Sequence, residues 1–393
     1  MKVETPRPVE LSSTARTAFM VLAAIGVVTA AAGAFMAPAR MWASWLMVAN
    51  YSLGLGLAGL CFVAIHYTTG STWSVAIRRV PEALAATLPF SVALLAILFI
   101  VYPQLYGWTT DEALRGSTEK VLAFKQFWLS RPFFLVRAAI YAAIWIGFGL
   151  AIQKRSRRQD QDGDPRWTRE NFRLSAAFLV LFGITVTLSS FDWLMSIEYH
   201  WFSTIFGVYN FAGLFESGLA AIILIAIWLE RAGPLRGVLH DSHLHDLGKL
   251  MFAFSVFWMY IWFSQYMLIW YTDMPEETSY FVLRGSGAWF ALFILNTFLN
   301  WVIPFLVLLR RDTKMQRQTV AIVAGTILLG RWLDMYLMVF PGIVGATPTF
   351  GIWELGLTLG GVGAFGLVLA GALKGAPVVP IADPELVESL GYH

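Results

Sequence analysis

The stretch "LAATLPFSVALLAILFIVYPQL" (residues 84–105) decides the fold, because it runs for 22 residues without a charged side chain. An α-helix rises about 1.5 Å per residue, so this run is long enough to cross the roughly 30 Å hydrocarbon core of a bilayer. Lipid contains no water to satisfy free peptide groups, and a spanning segment must therefore bond its backbone internally. The stretch predicts a transmembrane helix.

Similar runs recur along the whole chain. Of its 393 residues, 58% are hydrophobic and 13% are charged, which is typical of membrane proteins with many spans. We predict an all-α integral membrane protein with about ten transmembrane helices, numbered 1 to 10 in chain order. They cover residues 17–37, 44–66, 84–105, 132–152, 174–195, 204–229, 250–271, 288–309, 319–341 and 352–373.

The loops between these helices differ in charge. The side of the amino terminus collects 20 Lys and Arg residues and the other side has 6. Because cytoplasmic loops are enriched in these residues, we predict that both termini are cytoplasmic. The motif "AFMAPA" (34–39) resembles a signal-peptide cleavage site, but Glu4 and Glu10 favour an ordinary first helix. The net charge of +3 is explained by the cytoplasmic loops and gives no reason to expect a nucleic acid partner.

Ligands for a redox centre are scarce. Cys61 is the only cysteine, which excludes a thiolate-held iron–sulfur cluster within this chain. Membrane haem b needs facing histidines, yet His66 and His200 are predicted at opposite sides of the bilayer. The segment "HDSHLHD" (240–246) allows a metal site, although a solvated polar loop is the preferred interpretation. We therefore predict no metal and no redox cofactor held by this chain.

Two pairs of short segments indicate an internal duplication. "LYGWTTDEAL" (105–114) resembles "LIWYTDMPEE" (268–277), and "RPFFLVR" (131–137) resembles "YFVLRG" (280–285). Each pair occupies the same position in a set of four helices, so helices 2–5 and 6–9 are predicted to form two related four-helix bundles. The predicted units are 1–43 (amino terminus and helix 1), 44–203 (helices 2–5), 204–345 (helices 6–9) and 346–393 (helix 10 and a cytoplasmic tail).

Ionisable residues within the predicted helices are costly and need either a partner or a function. Arg331 and Asp334 are three residues apart and can pair on one helical face. Glu216 has no cation near it in sequence, and a lone membrane carboxyl group that stays protonated has the property a proton relay needs. Arg137 and Glu354 can compensate one another or line an outer vestibule. The candidates for a proton path are His66, Arg137, Asp192, Glu216, Arg331, Asp334 and Glu354.

Carboxylates, one histidine and aromatic rings are concentrated at the outer ends of helices 5 to 7. One interpretation is an aromatic belt at the membrane interface with solvated acidic loops. The other is a site for an amphipathic ring whose oxidation releases protons, as that of a quinol does. The candidates for a quinone site are Asp192, Glu198, His200, Trp201, Tyr266, Asp273 and Glu276.

The segments "FDWLMSIEYHWFSTIFGVYNFAG" (191–213) and "FWMYIWFSQYMLIWYTDMPEET" (257–278), with the ten-helix pattern, resemble the NrfD and polysulfide-reductase family of membrane subunits. The chain is most similar to the second NrfD-like, quinone-binding subunit of bacterial alternative complex III. The resemblance extends from Arg16 to Lys374. It departs from the sister subunit's motif at Glu198, Tyr199 and His200, which leaves open which of the two chains binds quinol.

The resemblance implies electron transport in a respiratory chain of the bacterial inner membrane. The function implied is that of a membrane subunit of a quinol:cytochrome c or quinol:oxidase oxidoreductase, with menaquinol as the expected quinol and with a role in proton translocation. The implied partners are an iron–sulfur subunit, multihaem and monohaem cytochrome c subunits, a second NrfD-like ten-helix subunit and membrane lipids. Haem c and iron–sulfur clusters would then belong to those partners.

Three alternatives remain open from the sequence. A quinol-binding membrane anchor of a molybdenum-type reductase would have a similar composition. Parallel repeats with buried charges also suit a proton-coupled secondary transporter, which would function in isolation. A purely structural anchor would tolerate neutralisation of Glu216 or Asp334 without a change in turnover.

Overall fold

The computed structural model describes residues 9–111 and 120–392, and within them it contains helices and no strand. Lys2, Glu4, Arg7 and Arg115, which entered the charge analysis, lie outside the described residues. Ten long apolar helices confirm the prediction of an all-α integral membrane protein. We label them α1 (Ser13–Met36), α2 (Pro38–Thr69), α3 (Arg79–Val101), α4 (Arg131–Asp162), α5 (Arg166–Glu198), α6 (Phe206–Ala232), α7 (Asp241–Thr272), α8 (Trp289–Leu308), α9 (Arg317–Val344) and α10 (Ile352–Lys374).

Several helices are longer than their apolar runs. α2 begins at Pro38, and Ala37 alone separates it from α1, with φ −152°. A residue before proline is pushed away from helical geometry, which explains the break at Ala37. α4 continues through a polar segment to Asp162 and ends at Gly163, whose φ of +67° favours glycine. An apolar run marks only the part of a helix that lies in lipid. The polar ends of these helices therefore could not be predicted from the apolar runs.

Two of the spanning helices are irregular. α3 consists of Arg79–Ala85 and Leu88–Val101 with a break between them, close to Pro89. α8 contains a π-helical turn at Phe298–Val302 just before Pro304, which cannot donate a backbone hydrogen bond. The π turn carries Asn300 into the protein interior.

The helices pack as two rings of four with a pair outside. In the first ring, α2 and α4 each contact both α3 and α5. In the second ring, α6 and α8 each contact both α7 and α9. The rings meet where α2 and α5 pack on α6, and α1 packs along α10. α2 and α6 are largely buried, whereas most of α1 remains exposed for lipid or a partner. The relatedness of the two sets of helices stays a prediction.

Because successive spans alternate in direction, the connecting segments fall on two sides. We call the side with the connections at 70–78, 163–165, 233–240 and 309–316 the basic side. We call the side with those at 102–111, 120–130, 199–205, 273–288 and 345–351 the acidic side. A short helix, Lys120–Trp128, lies on the acidic side before α4, and Pro275–Arg284 lies there between α7 and α8. On the basic side, the carboxy-terminal tail is attached by an ion pair between Asp383 and Arg78.

Candidate functional site

A cavity of about 650 Å³ opens on the acidic side, between the Lys120–Trp128 helix and the segment that follows α5. Its volume lies within the range of roughly 300–1,000 Å³ that small-molecule sites occupy. Aromatic and apolar side chains form most of its wall. The lining residues are Phe124, Lys125, Trp128, Leu129, Phe191, Met195, Ser196, Tyr199, Trp201 and Phe202.

The short helix is held over the cavity by its own side chains. Phe124 and Trp128 are four residues apart and therefore share one helical face, with ring centroids 5.9 Å apart. Lys125 Nζ donates a hydrogen bond to the Tyr199 carbonyl at 3.2 Å, which connects the helix to the opposite wall. Phe124 and Phe202 are half-exposed or more, so the cavity has an aromatic mouth.

Three polar groups lie in the otherwise apolar wall of the cavity. Partial burial lowers the pKa of Lys125. Burial and the hydrogen bond to the Asp111 carboxylate raise the pKa of Tyr199 to about 12, so its hydroxyl remains a donor. Trp201 stacks on Tyr280 with centroids 4.0 Å apart, and its Nε1 donates to the Glu277 carbonyl. The wall therefore combines a fixed indole surface with a cation and a phenol.

Asp192 lies behind this wall, and both of its carboxylate oxygens accept hydrogen bonds. Arg137 Nε and Nη2 each donate to its carboxylate at 2.8 Å, in the bidentate geometry that makes such pairs strong. Trp128 Nε1 donates to Asp192 Oδ1 at 2.8 Å, and the Tyr141 hydroxyl donates to Oδ2 at 3.0 Å. The Arg137 guanidinium also lies 4.1 Å from the Trp128 ring centroid. Trp128 thus connects the cavity to a buried ion pair.

A second polar array lies inside the membrane between α5, α6, α8 and α9. Arg331 Nη1 donates to Asp334 Oδ2 at 2.6 Å, and Asn296 Nδ2 donates to Oδ1 at 3.0 Å. The Tyr209 hydroxyl donates to the same Asp334 carboxylate, while Arg331 also donates to Asn210. All of these side chains except Asn210 are at most 5% exposed. The predicted pairing of Arg331 with Asp334 is therefore present in the structure.

Glu216 belongs to the same region but has no hydrogen bond. It is fully buried on α6, and neither carboxyl oxygen has a partner within the described residues. Asp334 and Arg331 are the charged groups that act on it electrostatically. Gly213, one turn earlier on α6, leaves the space that the Arg331 guanidinium occupies. The sequence offered no cation near Glu216, whereas folding brings one from α9.

A narrow gap separates this array from the acidic side. A cavity of about 10 Å³, close to the minimum for one water molecule, is bounded by Asp334 and Asn296 and by Tyr280 and Arg284. Arg284 Nη2 donates to Glu198 Oε1 at 2.5 Å, and the side chain of Glu198 is 20% exposed. Arg284 also lies 3.4 Å from the Tyr280 ring centroid. Asp334, Arg284 and Glu198 therefore lie in succession from the interior to the acidic side, and Glu216 lies at the inner end of this series.

The structure brings only part of the predicted quinone site together. Trp201 lines the large cavity, while Asp192 stands behind its wall and Glu198 pairs with Arg284. His200, Asp273 and Glu276 are exposed. Tyr266 packs between Trp262 and Phe281, away from the large cavity. Of the seven candidates, Trp201 alone lines the large cavity among the described residues, and the quinone site as a whole stays a prediction.

One further expectation, that Arg137 and Glu354 compensate one another, needs correction. Arg137 does not compensate Glu354: Arg137 pairs with Asp192, and Glu354 accepts two hydrogen bonds from Arg40, at 2.9 and 2.7 Å. Those partners are distant in sequence, which no local pattern could reveal. His66, a proposed end of the proton path, bonds the Phe62 carbonyl through Nδ1 at 2.7 Å and lines a different cavity on the basic side.

The histidine segment is helical and not a solvated loop. α7 begins at Asp241, and His243 is fully buried while its Nδ1 accepts a hydrogen bond from the His240 backbone at 3.0 Å. The described residues contain no group of three or more His, Cys, Asp or Glu side chains arranged to hold a metal ion.

Phe124, Lys125 and Trp128 line the cavity but are not among the residues predicted from the sequence. The segment "KVLAFKQFW" (120–128) places them on a short helix that is too polar for a span. Its alternation of apolar and basic residues, with aromatic residues four apart, is the pattern of a helix lying at a membrane interface. That signal could have marked the segment as part of a site.

Comparison with known proteins yields no assignment, because no protein-family model matches the chain and no curated protein is significantly similar to it. The functional assignment therefore depends on the residues and geometry described above.

Proposed function

We propose that the chain is the membrane subunit of a quinol-oxidising complex of the NrfD-like type, most similar to that of alternative complex III, and that it binds quinol in the cavity on the acidic side. The single observation that carries this proposal is the aromatic cavity of about 650 Å³ with Lys125 and Tyr199 in its wall. In this proposal the chain supports quinol oxidation and proton translocation and holds no redox centre itself.

The chemistry of the wall supports a quinol. Its flat ring needs stacking surfaces, which Phe124, Trp128 and Trp201 supply. Its oxygens need polar partners: Lys125 is a donor next to those rings, and the oxygen of the Tyr199 hydroxyl, which donates to Asp111, can accept from a quinol hydroxyl. The apolar tail can leave through the mouth formed by Phe124 and Phe202, which are 63% and 50% exposed.

The proton route in this proposal uses the internal array. Oxidation of a quinol releases protons that need acceptors. Glu198 and Arg284 stand near the acidic side, and the gap of about 10 Å³ leads from them to Asp334. Glu216, with no hydrogen bond of its own, is the group best suited to accept and release a proton within the membrane.

The environment follows from the same proposal. The basic side would face the cytoplasm of a bacterium and the acidic side would face outwards, by the positive-inside rule. Electrons would pass to an iron–sulfur subunit and to multihaem and monohaem cytochrome c subunits, next to a second NrfD-like subunit. Such partners would contact the chain on its acidic side.

Truncation of one ring tests quinol binding. We expect Phe124→Ala to weaken the binding of a menaquinol analogue to the purified chain by about tenfold, because a stacked ring contributes roughly 1 kcal/mol beyond its buried area. The dissociation constant is measured by titration against intrinsic tryptophan fluorescence.

Phe127→Ala is the matched control, since Phe127 is on the same helix and 61% exposed but does not line the cavity. It should leave the affinity unchanged. Equal affinities for the wild type, Phe124→Ala and Phe127→Ala would contradict quinol binding in this cavity.

A proton-coupled secondary transporter is the second candidate. It is favoured by the fully buried Glu216 beside Arg331 and Asp334 at the contact between the two helix rings. This function predicts pH-driven uptake of a solute by vesicles that contain the chain alone, whereas the quinol proposal predicts none.

A further inference from the structure

A second cavity, of about 380 Å³, lies on the basic side between the end of α2 and the beginning of α5. It is separate from the groups assigned to quinol and proton transfer, apart from His66 at its edge. Its wall carries more polar side chains than that of the large cavity. The side chains that matter below are Tyr67, Ser71, Arg78, Arg169, Arg173 and Glu385.

Arg169 and Arg173 give the cavity an unbalanced positive charge. They are four residues apart on α5, so their side chains share a face and repel one another. Neither has a carboxylate within ion-pair distance among the described residues. Their neighbours on the same surface differ, since Arg155 pairs with Glu170 and Arg166 pairs with Asp164. Two like charges left together in this way favour an anion between them.

A buried hydroxyl of the cavity wall lacks a partner. The Ser71 hydroxyl has no hydrogen bond within the described residues. The Tyr67 hydroxyl beside it belongs to a side chain that is 6% exposed, and its neighbour for hydrogen bonding is the Asn171 side chain. Buried polar groups of native proteins are nearly always hydrogen-bonded, so the Ser71 hydroxyl indicates an additional polar ligand.

Arg78 completes the inner wall. It is 4% exposed, pairs with Asp383 of the carboxy-terminal tail and lies 4.7 Å from the Tyr67 ring centroid. Its Nε lies 3.8 Å from Glu82 Oε1 and has no hydrogen bond within the described residues. Among the described residues, Glu385 is the only carboxyl group that lines the cavity. Burial and the neighbouring Asp383 raise the pKa of Glu385.

We propose that this cavity binds a phosphate group, and that the phosphate is the headgroup of an anionic phospholipid in the leaflet on the basic side. Guanidinium groups match phosphate oxygens in bidentate geometry, and the Ser71 hydroxyl supplies a further donor. Phe172, which lies between the two arginines in sequence, lines the cavity and is 47% exposed. It offers an apolar surface to the acyl chains of a lipid, which a free phosphate ion would not need.

Lipid binding to the delipidated full-length chain tests the proposal. Phosphatidylglycerol and phosphatidylcholine are added in turn, and bound lipid is counted by native mass spectrometry. The wild type should retain phosphatidylglycerol in preference to phosphatidylcholine. The double variant Arg169→Gln/Arg173→Gln should bind phosphatidylglycerol at least about tenfold more weakly, because it loses two charge-assisted contacts.

The matched control is Arg231→Gln/Arg236→Gln. Both residues are exposed on the basic side and neither lines the cavity, so this variant should bind like the wild type. Equal losses in the two double variants, or no loss in either, would overturn the site. Ser71→Ala provides a second variant without a charge change, and it should weaken binding severalfold.

Inorganic phosphate distinguishes the two sources of the anion. A ligand that binds only the native state raises the temperature of unfolding. If phosphate, against chloride at equal ionic strength, stabilises the wild type but not Arg169→Gln/Arg173→Gln while phosphatidylglycerol fails to bind, the site takes free phosphate and the lipid assignment is wrong. Binding of phosphatidylglycerol that depends on the two arginines supports the lipid assignment.

Discussion

At the scale of single residues, two fully buried carboxyl groups have opposite surroundings. Glu354 accepts two hydrogen bonds from Arg40 and one from the Gly351 backbone, at 2.8 Å. Glu216 accepts none within the described residues. A carboxyl group with a saturated set of donors is structural, whereas one with free oxygens can exchange a proton without breaking a contact. Burial alone therefore does not distinguish a structural carboxyl group from a functional one.

This contrast predicts the effect of two matched substitutions. Glu216→Gln should change the free energy of unfolding by less than about 1 kcal/mol, because it removes no hydrogen bond. Glu354→Gln should reduce it by about 3 kcal/mol, because it leaves Arg40 without its counter-charge. Thermal unfolding of the purified chain in detergent measures both.

The same pair of variants separates stability from function. Proton translocation by the assembled complex should be lost in Glu216→Gln although the protein is as stable as the wild type. Unimpaired translocation in Glu216→Gln would contradict the proton route and favour a structural anchor. A large loss of stability in Glu216→Gln would mean that Glu216 has partners that the described contacts do not include.

At the scale of elements, close helix packing depends on small residues. Gly26 on α1 and Gly360 on α10 bring the two backbones together, so that a Cβ added at Gly26 would lie 2.5 Å from the Gly360 Cα. Gly218 on α6 likewise packs against Ala58 on α2. Membrane helices have no hydrophobic force to join them, and close backbone contact supplies dispersion energy in its place.

We expect Gly26→Ala to separate α1 from α10 and to lower the free energy of unfolding by roughly 1–3 kcal/mol, as overpacking does. Gly371→Ala is the control on α10, because a Cβ there would meet no atom within 4 Å. Its effect should stay within about 0.5 kcal/mol. Thermal unfolding compares the two, and equal effects would show that the Gly26 contact does not hold α1 in place.

The helices could be predicted from sequence because each one carries its own signal. An apolar run must span the bilayer as a helix whatever its neighbours are. The polar ends of α2, α4 and α7 could not be predicted in the same way, since only packing and solvent decide how far they extend. The short helix at Lys120–Trp128 was not predicted for a similar reason, because it lies at the interface and has no apolar run.

At the scale of the whole molecule, the site depends on contacts between distant segments. Arg137 and Asp192 are 55 residues apart in sequence, and Arg40 and Glu354 are 314 apart. The sequence identified most of these charged residues as important but could not pair them. Only Arg331 and Asp334, three residues apart on one helix, were paired correctly from sequence.

The two rings of helices also explain where the chemistry is found. Their contact along α2, α5 and α6 keeps Glu216 away from both lipid and water. The large cavity is built at the acidic end of the first ring, and Trp201 and Glu198 connect that end to the second ring through Tyr280 and Arg284. Quinol binding and proton movement would therefore be joined by the segment that links the rings.

The most direct test is a cryo-EM map of the gently solubilised protein with a menaquinol analogue. We expect density for the ring in the cavity of about 650 Å³, in contact with Trp201 and within hydrogen-bond distance of Lys125 or Tyr199. An empty cavity in this chain, together with the analogue bound in a sister subunit, would contradict quinol binding by this chain.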